Sequence, residues 1–257
     1  MPPKEAFPKA RTAAEKAVEI DNGLAEAHTS LGLVRFQYDW DWEGAEKEFK
    51  RAIELNPSYA TGHHVYARYL SITGQHRDAI AEIKRAQELD PLSPILYAVA
   101  GDIFYGARDY DSAIEEDRKA LDLDANFAAG HAHLGIAYTM KQRYADAIAE
   151  LRKALELFGD DNDVISSLGY TYAVSGRRAH AQDLLRKLLV TSKQQYVNPL
   201  DVVGIYAGLG EKLNALQWLN RGYEERAPMV WLGDPTFDVL RSDPRFQDLV
   251  RKIGLPQ

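Results

Sequence analysis

One spacing dominates the sequence: Ala45, Ala79, Ala113, Ala147, Ala181 and Ala215 follow one another at intervals of 34 residues. A second series, Ala52, Ala86, Ala120 and Ala154, keeps the same step and continues at Leu188 and Gly222. Gly101, Gly135 and Gly169 make a third, with Ala67 one step before and Gly32 one further, displaced by a single inserted residue. Pro57 and Pro91 stand at the same interval, closing Glu54-Leu55-Asn56-Pro57 and Glu88-Leu89-Asp90-Pro91. A period of this length with several registers in agreement marks one supersecondary unit repeated along the chain, each copy too small to bury its apolar face alone.

Within a unit a small residue follows an apolar one, an aromatic stands three further on, and after a turn comes Ala-x-x-x-apolar-x-x-Ala. The fourth unit reads Leu134-Gly135, Tyr138, Tyr144, Ala147, Leu151, Ala154. Apolar residues at helical spacing mark two short helices per unit, and the small residues let their axes approach. Asn56-Pro57 and Asp90-Pro91 end helices, because the residue before proline is biased out of the helical region. The pattern resembles the tetratricopeptide repeat, over roughly residues 25 to 225 in six units. That resemblance implies an all-α, right-handed superhelical solenoid of stacked antiparallel helix pairs, a single domain over residues 1–257.

The ends depart from the repeat. Residues 5 to 20, with Ala10, Ala14 and Ala17, read as the second helix of a unit whose first helix is missing. Met1 then marks a cut inside a longer protein, and the helix has an apolar face available for self-association. Residues 227 to 257 carry Pro228, Pro235, Pro244 and an amphipathic Phe246-Leu249-Val250-Ile253, the pattern of a cap on the last unit. The stretch from Thr191 to Pro199 breaks the helix, so unit five is expected to have a short second helix. In Tyr38-Asp39-Trp40-Asp41-Trp42-Glu43, Trp42 holds the aromatic position of Tyr110 and Tyr144 and is expected in the core. Trp40 is assigned to the inserted turn, without a counterpart.

The chemistry offered by the residues is sparse. There is no cysteine, and hence no disulfide, thiolate metal site or cysteine nucleophile. His28, His63, Tyr97 and His131 share one place in successive units, where a flat ring packs between helices, so packing is expected rather than metal ligation. Lys50-Arg51, Lys84-Arg85, Arg118-Lys119, Arg152-Lys153 and Arg186-Lys187 form a basic stripe. Glu48, Glu82, Glu116 and Glu150 stand three residues before the second cation, and Glu54, Glu88, Asp122 and Glu156 four after the first. With a net charge of −7 the stripe reads as a solvated face, not a nucleic-acid track. Gly208-Leu209-Gly210-Glu211-Lys212 lacks the hydroxyl residue of a phosphate loop, and Gly210 falls on the turn position of Gly74 and Gly176. Asp160-Asp161-Asn162-Asp163 lacks the glycine and distal glutamate of a calcium loop and fits a helix N-cap. No catalytic constellation is found, and no cofactor, metal site or membrane span is expected; a cytoplasmic setting fits.

The remaining candidate is a surface. In stacked helix pairs the first helices line a concave face, and offsets from the repeat place Thr29, Leu33 and Phe36 on it in unit one and Thr61, His64 and Arg68 in unit two. Asp102 and Tyr105 follow in unit three, His133, Ile136 and Met140 in unit four, Ser166 and Tyr170 in unit five. Rings, aliphatics and a few polar groups suit a peptide or partner helix, the expectation for a non-catalytic interaction scaffold. The chaperone-binding carboxylate clamp of some tetratricopeptide domains is absent, since the matching positions are Thr29, Leu33, Ile95 and Val99. The alternative is a sensor module that binds a small molecule or peptide signal and controls an effector domain. It rests on the Trp40 region together with 173–178, 206–212 and 240–246, which resemble the C-terminal repeat region of large bacterial signalling proteins. Their resemblance implies an upstream winged-helix, kinase or cyclase domain, none of which is in this chain. A long open groove favours the scaffold; a closed cavity with convergent polar groups favours the sensor.

Overall fold

The computed structural model describes residues 1–256. After α1 (Pro3–Ile20) the chain forms successive antiparallel pairs: α2 (Ala25–Val34) with α3 (Trp42–Leu55), α4 (Ala60–Ile72) with α5 (His76–Leu89), and α6 (Pro94–Gly106) with α7 (Tyr110–Leu123). Then come α8 (Ala128–Met140) with α9 (Tyr144–Phe158), α10 (Asn162–Val174) with α11 (Arg178–Thr191), and α12 (Pro199–Gly208) with α13 (Lys212–Glu225). Two turns of 3-10 helix, Met229–Gly233 and Pro235–Leu240, lead to α14 (Pro244–Lys252). The described residues contain no strand, and none of their helices is long and apolar enough to cross a membrane.

The first helix of each pair touches the first helix of the next, whereas second helices meet chiefly the first helices beside them. That asymmetry bends the stack and puts the first helices, α2, α4, α6, α8, α10 and α12, on its inner side. The periodic small residues make the close approaches: Ala45, Ala79, Ala113, Ala147, Ala181 and Ala215 are each fully buried. At Gly135 a methyl group would come within 2.6 Å of the Leu151 side chain, so the glycine and the large residue of the facing helix fit as a pair.

Each unit turns through one residue in the left-handed region, and these six residues are themselves 34 apart: Trp40, Gly74, Arg108, Gln142, Gly176 and Gly210, with φ of 59° to 79°. Trp40 therefore has repeat counterparts, contrary to the sequence reading. The inserted residue is absorbed just before it, in a π-helical turn over Arg35–Asp39, where one extra residue fits without breaking the helix. A second correction concerns unit five. Its second helix, α11, has the usual 14 residues, and the interruption at 192–198 instead shortens the next helix, α12, to 10.

The recurrent histidines do more than pack. Nδ1 of His28, His63 and His131 faces Glu48, Glu82 and Glu150 at 2.5 to 2.6 Å, while Nε2 faces the carbonyl of Asn22, Pro57 or Ala125 at 3.1 to 3.2 Å. Each ring thus clips the two helices of its unit to the turn that precedes them. Where Tyr97 replaces histidine, its hydroxyl donates to the Pro91 carbonyl at 3.1 Å, and Glu116 is released to pair with Lys119. Glu48, Glu82 and Glu150, three of the eight acids expected to neutralise the basic stripe, are thus engaged by histidines. Arg51, Arg85 and Lys153 pair instead with acids three residues later, Glu54, Glu88 and Glu156.

The C-terminal residues return to the start of the solenoid. Val230 joins the core of the first units with Phe36, Phe49 and Tyr69, and Trp231 packs against it. The Trp42 indole, partly buried against Phe36, donates to the Ile253 carbonyl at 2.8 Å. Trp40 stacks on Tyr223 at 5.4 Å with the Arg226 guanidinium 4.1 Å from its ring. Helix α1 lies against α2, burying Ala14, with Phe7 stacked on Tyr38 and Arg11 paired with Asp39. Its outer side carries Lys4, Glu5, Lys9, Glu15, Lys16 and Glu19.

Candidate functional site

The bend of the stack and the returning C-terminal residues together form a half-open hollow of about 540 Å³ on the inner side. Arg68, Asp102, Tyr105, His133, Ile136, Ser166 and Tyr170, seven of the residues read from repeat offsets, line it. Arg68, Asp102, Ile136 and Tyr170 are 34 apart in series, and the next member, Gly204, also lines the wall; having no side chain, it leaves space there.

The other six candidates lie outside the hollow's lining. Phe36 is 2% exposed, set edge-on against Trp42 and Tyr69, so it is a core residue of unit one. Thr29 is buried and its hydroxyl donates to the Ala25 carbonyl of its own helix. Leu33 and Met140 pack half-buried against neighbouring core clusters, and Thr61 is exposed on the first turn of α4. His64 is half-buried, and its pKa is lowered to about 4 by burial first and by the Arg68 charge second. For the five of these in units one and two, the C-terminal turn at 229–233, which packs against α4 and the π-helical turn, takes up the inner face instead.

The remainder of the lining was not identified from the sequence. Trp231, Asp234, Thr236 and Phe237 form the wall supplied by the C-terminal residues. The Arg68 guanidinium lies 4.9 Å from the Trp231 ring centre and 3.9 Å from the Asp102 carboxylate. The Tyr105 hydroxyl donates to Asp234 at 3.0 Å, and Arg108 makes a two-bond fork to Asp238 at 2.6 and 2.7 Å. Burial, then the Asp234 charge, pushes the Tyr105 hydroxyl far up, and the same two causes push Tyr170 up to about 12. Both phenols therefore act as neutral hydrogen-bonding groups. Across the floor, Thr139 and Thr171 bond to one another at 2.8 Å, and the Ser166 hydroxyl donates to the Asp201 carbonyl at 2.5 Å.

Six carboxylates reach this lining, Asp102, Asp117, Asp161, Asp163, Asp201 and Asp234, against one arginine. Asp161 caps α10 through the Asp163 and Val164 amides, Asp102 faces Arg68, and Asp234 accepts from Tyr105 and Thr236. Asp117 differs. It is 1% exposed, and neither carboxylate oxygen has a hydrogen-bond partner; the nearest base is His133, whose Nδ1 is 4.0 Å away and bonds the Ala98 carbonyl instead. Burial raises its pKa well above the usual carboxylate range, and the Asp102 and Glu116 charges add to this. Asp201 is raised in the same direction by burial, then by Asp163 and Asp161.

Both residues could have been found in the sequence. Asp117 stands 34 residues from Ile83 and Leu151, in a register completed by Phe49, Leu185 and Leu219, all buried and apolar. An acid in that series breaks the pattern, which is the signal that was overlooked. Asp201 occupies the offset of His133 in unit six, one unit beyond the last considered. No three histidine, aspartate or glutamate side chains among the described residues come close enough together to hold a metal ion.

A model of the tetratricopeptide repeat matches residues 67–126 and 99–162, so the central units are tetratricopeptide repeats. No curated protein matches the chain in sequence. Among solved structures, a chain of the APC/C hetero-tetramer Cut9–Hcn1 is similar over 96% of this chain and 46% of its own, with a TM-score of 0.65 at 17% identity. The human IFIT1 dimer is similar over 96% of this chain and 60% of its own, with a TM-score of 0.66 at 16% identity. PilF of Pseudomonas aeruginosa is similar over 90% of this chain and 98% of its own, with a TM-score of 0.56 at 16% identity. At these identities the likeness is one of fold, and the chain spans about half the length of the matched chain of the Cut9–Hcn1 complex.

Proposed function

We propose that this all-helical repeat chain is a non-catalytic binding module whose receiving site is the inner hollow, and that its ligand is a small molecule or the end of a peptide. The single observation that supports this reading is the hollow itself: a half-open space of about 540 Å³ lies within the range of small-ligand sites, with walls contributed by the first helices α4, α6, α8, α10 and α12, by Asp117 of α7 and by the C-terminal residues. A partner helix laid along the whole inner face is disfavoured, because Val230 and Trp231 already cover the first units. A ligand in the hollow would touch both the repeats and the C-terminal wall, which suits a sensor that passes occupancy on to an attached effector domain. The resemblance to bacterial signalling proteins supports that finer reading.

The test is to fill the space. Ser167, half-buried in the lining, is changed to Trp, and wild type and variant are compared in a screen of peptides and metabolites by native mass spectrometry, with circular dichroism as the folding check. Ligands that bind the wild type should be lost from the folded variant, while an outer triple change of Lys84, Arg85 and Lys119 to Ala should retain them. Loss in the outer triple with retention in Ser167→Trp would overturn the assignment.

A further inference from the structure

We infer that the hollow receives a small aliphatic di- or polyamine, with one ammonium group held at Asp117 and a second at Asp201. This rests on the reading of the hollow as the binding site and names the chemistry of its ligand.

Asp117 is the starting point. A repeat that places Phe49, Ile83, Leu151, Leu185 and Leu219 in its core has in this one unit a carboxylate at the same depth, reaching under Gly101 as Leu151 reaches under Gly135. Burying a carboxylate without a partner is among the most costly substitutions a core can carry. No protein group offsets that cost, since both oxygens lack hydrogen bonds. The residue lines the hollow, so a donor arriving there would supply what the protein does not.

The nature of the donor follows from the rest of the lining. Arg68, the one cation present, is engaged by Trp231 and Asp102, and leaves Asp117 and Asp201 unneutralised on α7 and α12. A single metal ion does not answer this demand, because the acids are dispersed and no three converge on a point. Charge must be delivered at separate places by one molecule. The same lining carries Tyr105, Tyr170 and Ile136, whose rings and methyl groups suit a methylene chain, as cationic and apolar parts are accommodated together by aromatic walls. An extended chain with ammonium groups at its ends has both features.

The probe is spermidine, titrated calorimetrically into the full chain at low and at physiological salt. The expected result is one site, with affinity reduced about 10- to 100-fold in Asp117→Asn and in Asp201→Asn, the loss typical of a hydrogen bond to a charged group. Asp117→Leu restores the apolar register, so it should remain folded and bind no spermidine. Glu54→Gln and Glu88→Gln, on the exposed outer surface, should bind as the wild type does. Absence of spermidine binding to the wild type, or undiminished binding to Asp117→Leu, would overturn the inference. Suberate and 1,8-octanediol serve as anionic and neutral chains of comparable length. If either binds the wild type but not Ser167→Trp while spermidine does not bind, the hollow remains the site and only the amine chemistry fails. Equal spermidine binding to wild type and Ser167→Trp would count against both readings.

Discussion

Replacing Asp117 by leucine is expected to make the protein more stable. In the neighbouring unit Leu151 fills the equivalent place and is fully buried, so the backbone already accommodates a leucine in this setting. Removing an unpartnered buried carboxylate relieves about 1 to 3 kcal/mol. Burying a leucine side chain in its place contributes about 1.5 to 3 kcal/mol. Leucine is bulkier than aspartate, and pressing it against Gly101 and His133 costs about 1 to 3 kcal/mol. Taken at the middle of these ranges the balance is a stabilisation of about 2 kcal/mol, and at their extremes it runs from about −0.5 to about 5; each kcal/mol raises Tm by roughly 2 to 4 °C in a chain of this size. The sign of the pH dependence is also determined. Burial raises the carboxyl pKa of Asp117 in the folded state, so the wild type folds with least penalty below the unfolded value, about 3.9, where the group is protonated in both states. As the pH rises from there through the folded value, the wild type loses stability that the leucine variant keeps. Thermal and urea unfolding followed by far-UV circular dichroism should therefore show the variant ahead near pH 7 and the gap narrowing near pH 4. A variant less stable than the wild type near neutral pH, or a gap that does not change with pH, would refute the view of Asp117 as a misplaced charge in a core position.

Three further outcomes are expected. Ala113→Leu and Ala147→Leu, at fully buried contacts, should each cost about 1 to 3 kcal/mol in urea unfolding, whereas Ala125→Leu, exposed at a unit end, should cost far less. His131→Tyr should retain about 1 kcal/mol more stability than His131→Ala, because a hydroxyl placed as in Tyr97 still reaches the preceding carbonyl. The imidazole of His64 should titrate by NMR with a midpoint near 4, since burial disfavours its charged form. The stability this group contributes is present above the unfolded value, about 6.5, and is lost as the pH falls through the folded one.

Local periodicity determined most of the fold. The alanine series, the small residues and the turn positions encode contacts between helices that are neighbours in sequence, and those contacts suffice to specify an all-helical stack. The same register made seven lining residues legible and would have revealed Asp117, an acid in a column of large apolar residues, and Asp201, at the offset of His133 one unit further on. What the register could not show is that Asp117 has no partner, because that depends on His133 bonding the Ala98 carbonyl and on the Arg68 guanidinium lying against Trp231 and Asp102. Nor could it place the residues after Ala227, which belong to no repeat. Their contacts join positions as far apart as Trp42 and Ile253, 211 residues along the chain. Such a meeting depends on the small rotation between successive units, summed over six of them. Each rotation is set by how side chains of different size seat against one another, and only the assembled stack brings the two ends together and narrows an open groove to a half-open hollow.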